Sequence, residues 1–274
     1  MIEARILGCG SSGGVPRLGG ADGAGNWGVC DPGNPRNRRS RCSLLLRRKS
    51  EAGETLLLVD TSPDMRQQLL DARVTRLDGV LITHAHADQL HGMDDLRVLI
   101  LISRSRIDVW SDHFTMGQVT RKFDYCFFQP PGSDYPPILN AQEIAEPFRE
   151  FSITGPGGPI PIRAFGLKHG NIRALGFRFG TLAYTPDVDS LDEAACAALE
   201  GVECWIVDAL RPTPHPSHAH LARTLEWIAR VRPKRAILTN MHVDMDYQTL
   251  VRELPEGTEP AFDGMTISLT IPGG

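Results

Sequence analysis

Val80-Leu81-Ile82-Thr83-His84-Ala85-His86-Ala87-Asp88 sets four apolar or β-branched residues directly before two histidines and an aspartate packed into five positions. A short continuous run of this kind reads as a strand buried on both faces, and a polar turn at its end can aim imidazole and carboxylate groups at one cation. The same layout recurs along the chain. Thr55–Val59 ends in Asp60, Thr181–Tyr184 stops just before Asp187, Trp205–Val207 ends in Asp208, and Ala236–Thr239 ends in Asn240 and His242. Buried strands that repeatedly stop at metal-competent side chains imply a mixed α/β architecture with its site at the strand ends.

Helices fit between these runs. Ser62-Pro63-Asp64 predicts a helix start, with Met65 and Leu69 on one face. Ser190 is expected to cap a helix carrying Leu191, Ala195 and Leu199, with Gly201 just past its end, and Ser217 to cap another with Leu221, Leu225 and Ile228. Gly155–Pro159 and Gln129–Gly132 read as turns inside a domain, and no repeat of solenoid period is present, so one domain spanning residues 1–274 is expected.

Bulk properties narrow the function. With 274 residues, 41% hydrophobic and 23% charged, the chain can bury a core without disulfides or a structural metal. A net charge of -4 argues against coating long nucleic acid, while leaving room for a local basic patch around a small phosphate ester. No secretory signal or long apolar run is visible, so a cytoplasmic protein without membrane contact is expected, with a homodimer as its assembly. The six cysteines form no Cys-x-x-Cys pair and are expected to be buried thiols.

The stretch around His84, His86 and Asp88 resembles the His-x-His-x-Asp-His signature of the metallo-β-lactamase superfamily, and downstream residues follow that superfamily's order. The resemblance implies an α/β fold, a four-layered αββα sandwich, with a site for two divalent ions, zinc or manganese. It places His84, His86 and His169 on the first ion, makes Asp187 a bridge, and gives Asp88 and His242 to the second. Gln89 stands where the signature has histidine. A neutral amide oxygen is a poorer zinc partner than imidazole, so the second site is expected to be weak or to favour manganese or magnesium.

Leu7-Gly8-Cys9-Gly10-Ser11-Ser12-Gly13-Gly14-Val15-Pro16 is similar to the opening loop of the phosphodiesterase branch that includes tRNase Z and the phosphoribosyl cyclic phosphodiesterases, and Met93–Arg97 and Leu238–His242 are closer to the latter. That branch often carries a cysteine cluster for a structural zinc, but Cys30 has no close cysteine or histidine partner here. The resemblance implies a phosphodiesterase acting through a water that the cations acidify to a pKa of about 7. Asp88 would orient that water. His218, or failing it His215, would act on the phosphate or leaving group. Ser12 and Gly13 of the loop, Arg38 and Arg39 of the basic run 36–41, and His91 are candidate substrate contacts; the plainer readings are a tight turn for the glycine loop, a solvated loop for the basic run and a capped helix start with exposed histidines for His215–His218. Asp60 and Asp64 are expected to support the ligands rather than bind metal. A thioester, lactone or β-lactam hydrolase, and a binding protein whose turnover Gln89 has weakened, remain alternatives.

Overall fold

The computed structural model describes residues 2–269, and its strands bear out the apolar runs. In chain order they are β1 (Ile2–Gly8), β2 (Ser43–Ser50), β3 (Gly53–Val59), β4 (Gly79–Leu81), β5 (Ile107–Ser111), β6 (Leu139–Glu143) and β7 (Phe151–Gly155). There follow β8 (Gly158–His169), β9 (Ile172–Phe179), β10 (Leu182–Thr185), β11 (Cys204–Asp208), β12 (Arg235–Thr239), β13 (Thr258–Pro260) and β14 (Thr266–Leu269). They form two seven-stranded mixed sheets, ordered β14-β1-β2-β3-β4-β5-β6 and β13-β12-β11-β10-β9-β8-β7.

The leucine runs are continuous because both faces of the first sheet are covered. Leu44, Leu46, Leu57, Val59 and Leu81 point into the core between the sheets, meeting Ile160, Ile162, Phe177 and Trp205. Their neighbours Leu45, Leu56, Leu58, Val80 and Ile82 point the other way, onto Met65, Leu69, Leu96, Ile100, Met116 and Val119 of the outer helices. Trp227, Ala195 and Leu250, from the helices Leu221–Val231, Glu193–Ala198 and Tyr247–Glu253, pack against the second sheet. The result is the αββα sandwich. Among the described residues no helix is long and apolar enough to cross a membrane.

Two helix caps differ from expectation. The helix after β10 starts at Glu193, and Asp192 caps it by accepting from the Ala195 N–H at 2.7 Å; Ser190 instead bridges to Lys168. A carboxylate is the stronger cap beside the helix dipole. Asp192→Ala should therefore cost about 1 kcal/mol of stability, measurable as a lowered denaturation midpoint. Ser217 does not cap the helix Leu221–Val231, whose N-cap His220 makes no side-chain bond. The backbone carbonyl of Ser217 is turned toward His169.

The consequence for function lies at the carboxyl ends of the strands. β3 and β10 run parallel to one neighbour, β4, β11 and β12 to both, and all five stop at one edge, delivering Asp60, His84, Asp187, Asp208 and Asn240 there. β8 adds His169 at its last position, where Gly170, with φ of 61°, turns the chain into β9.

Candidate metal centre

His84 is buried, and its tautomer follows from a chain of bonds behind it. Asp60, itself buried, accepts from the Thr83 N–H at 2.7 Å and from the Thr83 hydroxyl at 3.0 Å. With its proton committed to Asp60, the hydroxyl oxygen accepts from His84 Nδ1 at 3.1 Å. The remaining nitrogen, Nε2, carries a lone pair, is buried, and has no hydrogen-bond partner. His169 is oriented in the same manner: Nδ1 donates to the Ser217 carbonyl at 2.6 Å, which leaves Nε2 as the acceptor atom. That atom lies 3.2 Å from His86 Nδ1. Two nitrogens on one tetrahedral zinc, each at about 2.0–2.1 Å, stand roughly 3.3 Å apart. The ring centroids of His84, His86 and His169 are 4.6 to 5.0 Å from one another. Burial pulls the His84 pKa well down and that of His169 to about 4, so both imidazoles stay neutral as metal ligation requires.

A second cluster shares His169. His169, Asp187 and His218 bring one ligand atom each within 4.8 Å of the others. Burial pushes the Asp187 carboxyl well above the usual range; His218 opposes the shift, and Asp88 and Asp208 add to it. Carboxylates gathered in a buried site need cations. Gln89, buried, donates its amide to Asp187 at 3.1 Å and to Asp88 at 3.3 Å, and so links the two carboxylates. Asp88 and His242 line the same cavity. Asp244 stands 2.8 Å from His242 Nδ1 without hydrogen-bond geometry, which leaves that buried nitrogen unpartnered.

His218 is held by Asp208, whose Oδ2 lies 2.9 Å from Nδ1. Burial alone would lower its pKa, but the carboxylates of Asp208, Asp187 and Asp88 outweigh it and raise the value to about 9. Asn240, with φ of 59°, donates to both Asp187 at 3.3 Å and Asp208 at 3.2 Å, tying the two carboxylates together. Sequence reading had marked Asp208 and Asn240 only as strand ends; the shared strand-end layout was the signal that could have placed them in the site.

The cavity over the clusters has a volume of about 230 Å³. Ser12 and His215 line it, as do Arg17 and Arg211, which no sequence pattern singled out. His215 stands beside His218, with ring centroids 5.1 Å apart. Four candidate substrate residues fall elsewhere. Gly13 and Arg38 face a neighbouring cavity, with the Arg38 guanidinium over Trp27. Arg39 is buried and spends its guanidinium on the carbonyls of Met245 and His242 and on Asn37, which fixes the His242 segment rather than a ligand. His91 is exposed against Phe123, outside the cavity lining. Asp64 binds the Arg41 backbone N–H and guanidinium.

Two adjoining clusters, His84-His86-His169 and the group around Asp187, at the carboxyl edge of an αββα sandwich define a metal-dependent hydrolase with a dinuclear divalent-metal site. A family model described as the β-lactamase superfamily domain matches residues 55–241, and the chain belongs to that superfamily. It is similar to a crystal structure described as a new diphosphatase from the PhnP family, with 26% identity, 99% of each chain covered and a TM-score of 0.83. It shares its fold with Zn(2+)-bound PqqB from Methylobacterium extorquens, at 18% identity over 97% of this chain and 100% of that one, TM-score 0.73. The short form of human tRNase Z matches at 15% identity over 98% and 100%, TM-score 0.62. A curated Porphyromonas gingivalis protein named octanoyltransferase is 28% identical over 264 residues, 95% of this chain. This chain spans 50% of that relative's length.

Proposed function

We propose that the protein is a phosphodiesterase that hydrolyses a small cyclic or nucleotide-like phosphodiester. The observation that carries this reading is the pairing, in one small cavity, of an imidazole and carboxylate centre with the cationic side chains of Arg17, Arg211 and His218. A phosphoryl group needs charge neutralisation on its oxygens as well as a nucleophile, and this lining offers partners for both. The 26% identical relative is named a diphosphatase, which supports chemistry at phosphorus.

The donor set fits divalent zinc or manganese: His84 Nε2, His86 Nδ1 and His169 Nε2 on one side, Asp88, Asp187 and His242 on the other. Such ions supply Lewis acidity and an activated water at neutral pH. Asp88 accepts a hydrogen bond from the attacking water and orients it. His218, with Nδ1 fixed by Asp208, presents Nε2 to the phosphate or to the departing oxygen. Ser12 and the two arginines hold the remaining phosphate oxygens.

Purified protein loaded with manganese or zinc is expected to hydrolyse bis(p-nitrophenyl) phosphate and a cyclic nucleotide. His218→Ala should retain its metal and lose about a hundredfold in rate on the cyclic nucleotide, whose alkoxide leaving group needs a proton. The loss should be only about tenfold on the nitrophenyl ester, whose leaving group is already a good one. Inactivity of the metal-loaded protein across a panel of phosphodiesters would refute the assignment.

The octanoyltransferase relative favours a second reading, hydrolysis of an acyl thioester at the same centre. The lining argues against it, since Leu210 is its one apolar side chain and an eight-carbon chain needs an apolar slot. Octanoyl thioester cleavage that inorganic phosphate fails to inhibit would reverse the preference.

A further inference from the structure

Asp263 is a charged residue that neither cluster uses, and burial pushes its carboxyl up to about 6 although the donors of Ser40 and Cys9 pull the other way. A charge retained where it is costly points to a task. Oδ1 accepts from the Cys9 N–H at 3.1 Å and from the Cys9 thiol at 3.3 Å, while Oδ2 accepts from the Ser40 N–H at 2.7 Å and the Ser40 hydroxyl at 2.6 Å. The carboxylate is placed by its own flanks, since the Gly264 N–H donates to the Ile6 carbonyl at 2.7 Å and the Ile6 N–H to the Met265 carbonyl at 2.9 Å.

Its two partners stand where the first sheet comes apart. The β1–β2 ladder shifts register between Ile6 and Gly8 and ends at the Gly8–Ser43 pair, so the N–H groups of Cys9 and Ser40 lie beyond it. One carboxylate takes both, and charge-assisted bonds of this kind are about twice as strong as neutral ones. What it holds is the strip that reaches the metal cavity. The Gly10 N–H donates to the Ser40 carbonyl at 2.7 Å, the Met241 N–H to the Cys9 carbonyl at 2.9 Å and the Ser11 N–H to the Met241 carbonyl at 3.2 Å. From this strip the chain runs directly into Ser11 and Ser12 on one side and into His242 on the other, and all three line the cavity. The strip is tightly packed: a Cβ on Gly10 would stand 2.9 Å from the Arg39 carbonyl.

We propose that Asp263 is a positioning residue for the metal centre: by holding Cys9 and Ser40 together, its carboxylate sets the seating of Ser12 and of His242 across the cavity. The consequence for the second ion rests only on His242 as its ligand, whereas the consequence for turnover rests on the phosphodiesterase reading as well. A ligand or substrate contact displaced by about 1 Å costs on the order of a hundredfold in rate.

Asp263→Asn keeps the shape of the side chain but turns an amide donor toward Cys9 or Ser40. In calorimetric titration with manganese it is expected to weaken the weaker-bound ion about tenfold and to leave the tighter-bound one unchanged. Amide exchange at Gly10, Ser11 and Met241 of the metal-free variant should quicken, and kcat for bis(p-nitrophenyl) phosphate should fall about tenfold or more. Ser40→Ala removes a single donor and should weaken the same ion about threefold. Asp192→Ala, which lowers stability away from the cavity, should leave both ion affinities and kcat as they are, so a general loss of stability does not imitate the result. Should Asp263→Asn fail to fold, Ser40→Ala decides alone. Manganese affinities unchanged in these variants would overturn the proposal even with a lowered melting temperature, because the carboxylate would then serve the fold alone. Weakened binding of the second ion in a protein inactive on every phosphodiester would leave the positioning role standing and remove only the catalytic reading.

Discussion

His169→Ala is expected to strip metal from the His84-His86 half of the centre and to lower hydrolysis by a factor on the order of a thousand, about 4 kcal/mol of transition-state stabilisation. The size of the effect follows from position. His169 Nε2 completes the His84-His86 cluster and lies beside Asp187, so its loss removes one of the three nitrogens of the first ion and a neighbour of the carboxylate that faces the second. It also releases the Ser217 carbonyl, which otherwise holds the His218 segment close. The fold should survive, because His169 ends β8 beside a cavity and leaves the packed core intact. Metal content by mass spectrometry and the rise in melting temperature on adding zinc or manganese are the direct readouts, since an ion that binds only the native state stabilises it. A variant that still binds two ions per chain with unaltered affinity would show that His169 is not a ligand.

The parts of this centre that the sequence disclosed are those whose local pattern and chemistry coincide. His84, Asp187 and His242 each follow a buried apolar run, and a strand that stops at a metal-competent residue is visible without knowing the sheet order. Asp208 and Asn240 obey the same pattern, yet their importance comes from contacts 10 to 53 positions away in the chain, with Val188, His218 and Asp187, which no local pattern encodes. Arg39 shows the opposite failure. Its neighbours Arg36, Arg38 and Arg41 make it look like one of a solvated basic run, but the bridges of Gly10 to Arg41 and Val15 to Arg39 draw it inside, onto carbonyls of the His242 segment. The two misplaced caps have a similar origin. Ser190 and Ser217 are good cap residues, and long-range pairing with Lys168 and His169 took them for other work.

Gln89→His is the substitution expected to produce the largest gain. As it stands, the Gln89 amide nitrogen donates to Asp88 and Asp187 and so occupies, with a neutral donor, the place between two carboxylates where a cation is electrostatically favoured. Its carbonyl oxygen, Oε1, is buried without a partner. Rotating the amide would aim that oxygen at two other acceptors, an arrangement acceptable only with a cation between them, so amide orientation and occupancy of the second position are linked. A divalent ion entering there must displace two hydrogen bonds and accept a weak ligand in return. Histidine at position 89 offers a nitrogen lone pair instead, and should tighten binding of the second ion by more than about a hundredfold, beyond the 10–100-fold typical of residues that only support a ligand. The preference should also move from manganese toward zinc, since imidazole suits zinc better than an amide oxygen does. Titration with each ion separately measures both effects. If the second ion binds and hydrolysis rises sharply, Gln89 restrains the natural protein; if it binds and the rate stays level, the reaction runs on the His84, His86 and His169 ion with Asp187 beside it. Unchanged stoichiometry and affinity would mean that residue 89 does not face the second position at all.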